Sequence, residues 1–170
     1  NSIAAMTLEG EVVHNFDSNP NPLSMTFDGE IIWASNWDTN QIFTYDLEGN
    51  RIDQFNMNFS QISGMASDRD QYVFMNSEND NQIHVISIEN HQEITTFEFL
   101  GAMGNSDVWG IEWVPEHRDG QLWGNDRGHL YQAFVDEEWN VEAVSDFAWN
   151  TEFQHCEPAH DGENMWHGSW

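Results

Sequence analysis

The amino-acid sequence predicts an all-β protein, a β-propeller of four-stranded antiparallel blades, and three observations predict it. A unit of about 40 residues recurs along the chain, as expected for propeller blades. Gly, Asn and Asp separate short apolar segments at the spacing typical of hairpins. The two ends of the chain copy complementary parts of the recurring unit, so that together they complete one more of them.

The first whole unit shows the repeat most clearly. Its turns contain Asp28-Gly29 and Glu48-Gly49-Asn50, and Gly and Asn tolerate the positive φ that tight hairpin turns need. These two turns and the polar turn 36–40 separate four segments, which span 24–27, 30–35, 41–46 and 51–55. Four short antiparallel strands joined in this way form one propeller blade.

The unit recurs twice more, and a large aromatic side chain marks its second segment each time. We assign whole blades to 22–55, 62–97 and 108–146. The marker residues are Trp33, Phe74, Trp123 and, in the tail, Trp166. We expect these four residues to lie on second strands and to be buried between neighbouring blades, because a single blade cannot bury both of its faces.

Head and tail make one further blade, split into 155–170 and 1–16. The tail 161–170 copies 28–37 and stops after a second strand, whereas the head 1–13 copies 40–52 and begins at a third strand. We therefore expect 3–8 to pair with 164–169, since each half otherwise leaves an open edge.

Several closures satisfy this pattern. One chain closes as a compact four-bladed ring, two chains each donate half a blade to an eight-bladed ring and so self-associate, or the chain is a segment of a longer propeller. A sandwich of hairpins is the alternative without a propeller. The first residue, Asn1, is not Met, which is expected of a processed or trimmed product.

The composition limits the partners and the compartment. The net charge is −26, with four Arg and no Lys, which argues against binding to nucleic acid or to an anionic membrane surface. No apolar run approaches the ~20 residues that a membrane span needs, so we expect no membrane insertion. The acidic surface fits a secreted protein or a halophilic one, and we expect an extracellular or periplasmic location.

Two segments resemble a known group of repeats. Residues 25–33, Met-Thr-Phe-Asp-Gly-Glu-Ile-Ile-Trp, and Asn40-Gln41-Ile42 resemble bacterial propellers of the YVTN, NHL and streptogramin-lyase type. The resemblance covers nearly the whole chain and implies a propeller, but such repeats host enzymes, ligand binders and scaffolds alike. A lyase-like enzyme needs a catalytic His near the channel, for which the candidates are His155, His129 and His84.

Candidate metal ligands occur at two places in the sequence. Loops rich in oxygen ligands suit Ca²⁺, although solvated turns explain them better. The acidic residues of these loops are Asp17, Asp38, Glu78, Asp80, Asp107 and Asp126. The tail gathers ligands that suit Zn²⁺ or Cu, namely His155, Cys156, His160 and His167. Because loop oxygens greatly outnumber soft ligands, we expect any bound metal to be Ca²⁺.

Four tryptophans lie in or beside the loops of one face: Trp37, Trp109, Trp149 and Trp170. Exposed indole rings stack on sugars and anchor protein partners, and the alternative is that these rings plug the channel. Asn58-Phe59-Ser60 is a glycosylation sequon.

Altogether the sequence favours a non-enzymatic extracellular propeller that binds a ligand or assembles with itself. A streptogramin-lyase-like enzyme and a glycan-binding, lectin-like propeller are the alternatives. No motif identifies a catalytic residue.

Overall fold

A computed structural model describes residues 2–18, 22–99, 108–126, 128–148 and 157–167 of the 170. The regular structure in these ranges is β-strand throughout. The strands are β1 (Ser2–Met6), β2 (Val12–Asp17), β3 (Met25–Phe27), β4 (Ile32–Ser35), β5 (Gln41–Tyr45), β6 (Arg51–Asn56), β7 (Ile62–Ser67), β8 (Tyr72–Ser77), β9 (Gln82–Ser87), β10 (Glu93–Phe97), β11 (Gly110–Trp113), β12 (Leu122–Asn125), β13 (His129–Val135), β14 (Val141–Ala148), β15 (Pro158–His160) and β16 (Met165–His167).

Three four-stranded antiparallel sheets confirm the predicted fold class. Blade 1 is β3–β6, blade 2 is β7–β10 and blade 3 is β11–β14, and the strands of each sheet follow one another in chain order. The first strands β3, β7, β11 and β15 lie side by side in that order. They therefore line a central axis, with the fourth strand of each blade on the outside.

An aspartate fixes the first turn of blade 1, and the tail repeats it. Asp28 Oδ2 accepts a hydrogen bond from the indole Nε1 of Trp33 at 2.7 Å, and Asp161 Oδ2 accepts one from Trp166 Nε1 at 2.6 Å. The glycine after each aspartate has a φ of 102° or 99°, which side chains with a Cβ rarely adopt. The Asp-Gly signal in the sequence thus encodes both the turn and the position of the aromatic ring.

The marker aromatics lie on second strands, but only three of them are buried. Trp33, Phe74 and Trp123 are 0%, 1% and 7% exposed, whereas Trp166 is 50% exposed. Trp33 shares a core cluster with Val73 of the next blade. Phe74 and Trp123 likewise pack against the sheet or hairpin that follows their own blade. The expectation of burial is wrong for Trp166, because within the described chain no blade follows β16.

The terminal segments form two separate hairpins. The β1–β2 hairpin packs on blade 1, where Ile3 joins a core cluster with Ala34 and Phe43. The β15–β16 hairpin packs on blade 3, with Met165 against Trp123. Among the described strands, β1 bonds only to β2 and β16 only to β15, so the expected ladder between 3–8 and 164–169 is not formed within the chain; residues 168 and 169 lie outside the described ranges.

Each hairpin nevertheless has the register of half a blade. Ile3 pairs with Phe16 as Ile42 pairs with Phe55 in blade 1, and both ladders shift register at the same place, after Ala5 in the head and after its counterpart in β5. The β1–β2 hairpin is therefore the outer half of a blade, and β15–β16 is an inner half.

The first prediction compares Trp33 and Trp166, which make the same hydrogen bond to an aspartate but differ in how far a neighbouring blade buries them. Trp33→Ala should lower the free energy of unfolding by about 3–5 kcal/mol, as for other buried aromatic residues. Trp166→Ala should cost less than about 1.5 kcal/mol, because half of this side chain is already in water. Urea denaturation of both variants measures the difference, and equal losses would contradict the blade-interface assignment.

Self-association through the split blade stays a prediction, and solution mass tests it. The β1 segment Ser-Ile-Ala-Ala-Met is an uncharged edge strand, which is the kind of edge that pairs with another chain. Each chain has a net charge of −26, so we expect association only when salt screens the repulsion. The Debye length falls from about 10 Å at 0.1 M to about 3 Å at 1 M salt. Light scattering should give the mass of one chain at about 0.1 M NaCl and of two chains at about 1 M; one chain at both would refute the prediction.

Candidate functional site

Two kinds of connection meet at one end of the blades and form what we call the loop face. They join each fourth strand to the next first strand, and each second strand to the third strand. Trp37 follows β4 in blade 1, and Trp109 immediately precedes β11 in blade 3. The repeat thus places both tryptophans on the loop face, although they belong to blades that are not neighbours.

Trp37 and Trp109 stack on each other. Their ring centroids are 6.0 Å apart and their planes differ by 6°, and both residues are half-buried. Close backbone packing supports Trp109: its N–H donates to the Asn125 carbonyl at 2.9 Å, and a Cβ on Gly64 would lie 2.6 Å from its carbonyl oxygen. The pair forms a stacked, half-buried aromatic platform. Trp149 and Trp170 lie outside the described residues.

A glutamate just before β15 ties the tail to two other blades at the axis. Glu157 Oε1 accepts hydrogen bonds from the Ser24 hydroxyl and from the Met65 N–H, the latter at 2.8 Å. The residue as a whole is only partly buried, but its carboxyl group is enclosed, and this desolvation raises the pKa of Glu157 to about 8. Sequence reasoning missed Glu157, because nothing distinguishes it among 30 acidic residues.

A second glutamate faces a cavity at the other end of the axis. Burial raises the pKa of Glu112, on β11, to about 7, although the positive charge of Arg69 acts in the opposite direction. The cavity has a volume of about 320 Å³ and lies between the β1–β2 hairpin, β3 and the axis. Its lining residues are mostly apolar, with Arg69 and Glu112 among the few polar ones. The sequence did not single out either residue.

Two of the predicted calcium ligands take part in local structure. Asp80 lies 3.2 Å from the buried His84, whose other ring nitrogen lies 2.9 Å from Glu93. Asp126 accepts hydrogen bonds from the N–H of His129 at 2.7 Å and from the hydroxyl of Tyr131 at 2.9 Å. These carboxylates stabilise turns and strand ends.

The other metal candidates are spread over the molecule. His160 contacts the ring of His117 in blade 3, and His167 lies 3.4 Å from the Asn125 amide, where burial lowers its pKa. Asp17 and Asp38 are exposed, Glu78 is half-buried, and Asp107, His155 and Cys156 lie outside the described ranges. Within those ranges no three His, Cys, Asp or Glu side chains gather into a metal-binding group. Calcium binding stays a prediction.

The two described histidines that were candidates for catalysis lie away from the axis. His84 is on β9 and His129 is on β13, which are the third strands of their blades. His129 Nδ1 is 2.5 Å from an Asp146 oxygen, and this hydrogen bond raises the pKa of the histidine. This histidine–carboxylate pair joins two outer strands and does not face the channel. His155 lies outside the described residues.

Asn58 is exposed between the buried Met57 and Phe59, so its amide faces solvent on the loop face. Glycosylation there stays a prediction.

Comparison with solved structures agrees with the architecture described above. The chain superposes on virginiamycin B lyase from Staphylococcus aureus with a TM-score of 0.59 and 17% identity, over 99% of this chain and 56% of the lyase. A streptogramin B lyase superposes with a TM-score of 0.59 and 15% identity, over 99% of this chain and 55% of the lyase. The WD40 repeats of RRP9 superpose with a TM-score of 0.59 and 16% identity, over 84% of this chain and 44% of the RRP9 chain. The fold is a β-propeller.

These likenesses concern the fold alone, because the sequence identities are low. The chain spans little more than half the length of the lyases that it matches. No family model matches it, and no curated protein does. The YVTN and NHL part of the expected resemblance is therefore without support from a family match. In the described ranges, no helix has the length and apolar character to span a bilayer.

The raised pKa of Glu157 predicts a specific dependence of stability on pH. The Glu157 carboxyl keeps its proton up to about pH 8 in the folded protein, whereas it releases the proton near pH 4.5 in the unfolded chain. The contribution of this group to stability is therefore fully present below pH 4.5 and is lost as the pH rises towards about 8. For one proton the slope is at most about 1.4 kcal/mol per pH unit. Glu157→Gln should remove this contribution and leave the variant relatively more stable than the wild type at pH 9. Denaturation at pH 4 and pH 9 measures it, and a difference between the two proteins that does not change with pH would contradict the assignment.

Proposed function

We propose that this chain is a non-enzymatic, extracellular propeller module that binds a carbohydrate on its loop face. The observation that carries the proposal is the stacked pair of Trp37 and Trp109, 6.0 Å apart and half-buried. Aromatic rings with one apolar face and accessible edges are the usual platform for stacking sugars and for anchoring partners.

Polar groups beside the platform suit sugar hydroxyls. Asp38 is exposed next to Trp37, and its N–H donates to the side chain of Asn36 at 2.9 Å, which holds the loop in a fixed turn. A carboxylate that accepts hydrogen bonds beside a flat apolar ring matches a neutral sugar, which presents hydroxyls on its rim and C–H groups on its face. Because the chain has a net charge of −26, we expect neutral glycans to bind better than anionic ones.

The extracellular part of the proposal rests on composition. A surface with 30 acidic residues and four basic ones stays soluble in saline surroundings and does not bind nucleic acid. The lyase-like alternative has less support, because His84 and His129 are engaged on outer strands rather than at the channel.

Affinity electrophoresis tests the proposal. Gels contain either a neutral polysaccharide, such as hydroxyethylcellulose or a mixed-linkage β-glucan, or the anionic alginate. We expect retardation by at least one neutral polymer and none by alginate. Trp37→Ala and Trp109→Ala should each weaken the affinity derived from the retardation by about fivefold or more, since truncating an aromatic residue at the centre of a binding site typically costs more than about 1 kcal/mol.

Leu8→Ala is the matched control. It removes an apolar side chain that is 71% exposed and lies in the turn between β1 and β2, at the opposite end of the molecule from the loop face. It should migrate as the wild type does in every gel. If a panel of neutral polymers leaves all four proteins equally mobile, the carbohydrate proposal fails. If alginate retards the wild type more than any neutral polymer does, the expectation that neutral glycans bind better than anionic ones fails.

A further inference from the structure

The cavity near β1 has the walls of a small-molecule site. Its volume of about 320 Å³ lies at the lower end of the usual range for ligand pockets, roughly 300–1,000 Å³. Ile3, Phe16, Met25, Phe27 and Ile32 form much of its wall. Met25 and Phe27 are 46% and 38% exposed, so large apolar surfaces face the cavity without cover from the described chain.

An exposed cation, Arg69, lines one end of this cavity. Arg69 lies in the turn after β7 and is one of only four basic residues, none of them lysine, in a chain with 30 acidic ones. In the described part of the chain, every ion pair within 4 Å involves a histidine, so Arg69 has no carboxylate at that distance. An unpaired guanidinium beside an apolar wall offers a fork of donors to a planar anion.

Glu112 lines the same cavity and interacts electrostatically with Arg69. Burial raises the pKa of Glu112 to about 7, so below that pH its carboxyl is neutral and does not offset the guanidinium. Above it, the Glu112 carboxylate competes with any anion that enters the cavity. The other titratable groups that bear on this end are Asp68 and Asp70, which flank Arg69 in its turn, His14, which also lines the cavity, and Glu157, whose pKa is raised by burial and by the charge of Glu112.

We infer that this cavity binds a small amphipathic anion, with an apolar body of about the size of a fused aromatic ring pair and a single carboxylate that pairs with Arg69. The apolar walls take the body of the ligand, and the neutral form of Glu112 donates a second hydrogen bond to its carboxylate. The site lies at the opposite end of the axis from the Trp37–Trp109 platform and does not depend on it.

Other occupants are outcomes of the test. In blade 2, Met65 and Val73 lie in the cluster that covers Trp33, and their counterparts in blade 1 are Met25 and Ile32. A β16 strand, from the same chain or from a second copy, would therefore bring Trp166 towards the cavity. Ligand binding and coverage by β16 make different predictions for a Trp166 variant and for the mass of the complex.

The test uses the fluorescent probe 2-naphthoate and its uncharged analogue 2-naphthamide. Binding is measured at pH 6 and pH 8.5 in about 0.1 M NaCl, with light scattering to show that the chain is monomeric. We expect naphthoate to bind more tightly at pH 6 than at pH 8.5 by about tenfold, and naphthamide to show no such change. Glu112→Gln should remove the dependence on pH, which assigns it to Glu112 rather than to His14.

Arg69→Gln should weaken naphthoate binding by about tenfold or more and leave naphthamide within about twofold, because a charge-assisted hydrogen bond is lost. Arg69→Lys keeps the positive charge and should retain most of the binding. Arg118→Gln, in an exposed turn of blade 3 outside this cavity, is the matched control and should leave both probes unaffected. Circular dichroism verifies that each variant is folded.

Four results would overturn the inference. They are the absence of naphthoate binding, equal affinity for the two probes at both pH values, an equal effect of Arg69→Gln and Arg118→Gln, and binding that appears only after Trp166→Ala. The last result, or a doubled mass that excludes the probe, would assign the cavity to β16.

Discussion

The architecture depends on one constraint: a twisted four-stranded blade has two apolar faces and can bury neither by itself. Each blade solves this by placing a large aromatic ring of its second strand against the next blade, where Trp33 is fully buried. Trp166 shows what happens without a neighbour, since it has the same Asp–indole hydrogen bond and remains half exposed. The local motif therefore positions the ring, while the cover comes only from tertiary packing.

The blades pack most closely at the axis, and burial there changes the pKa of a carboxyl group. A carboxylate there must lose water, so Glu157 accepts hydrogen bonds from two other blades and retains its proton to an unusually high pH. Among the 30 acidic residues of the chain, burial raises the pKa of Glu157 to about 8 and that of Glu112 to about 7. The hydrogen bond between Glu157 and Ser24 also connects the tail to blade 1, although the two halves of the split blade form separate sheets.

The proposed binding surfaces follow from this same geometry. Connections at one end of the blades bring Trp37 and Trp109 together across the axis, although they are far apart in sequence. At the other end, the incomplete pairing of β1 leaves a cavity with apolar walls and a single cation. A propeller presents its loops in this way whatever its chemistry, so the side chains at these two places, rather than the fold, decide whether a ligand binds.

The sequence by itself determined the blades, because the turn residues at Asp28 and Gly29, the aromatic markers and the complementary ends are local signals that repeat. It also placed Trp37 and Trp109 on one face. Only the tertiary structure decided that these two rings stack, that Trp166 is uncovered, and that Glu157 and Glu112 are the carboxyl groups with raised pKa values. The physical reason is that stacking and desolvation depend on distances between separate blades, and no local pattern distinguishes an enclosed glutamate from a solvated one.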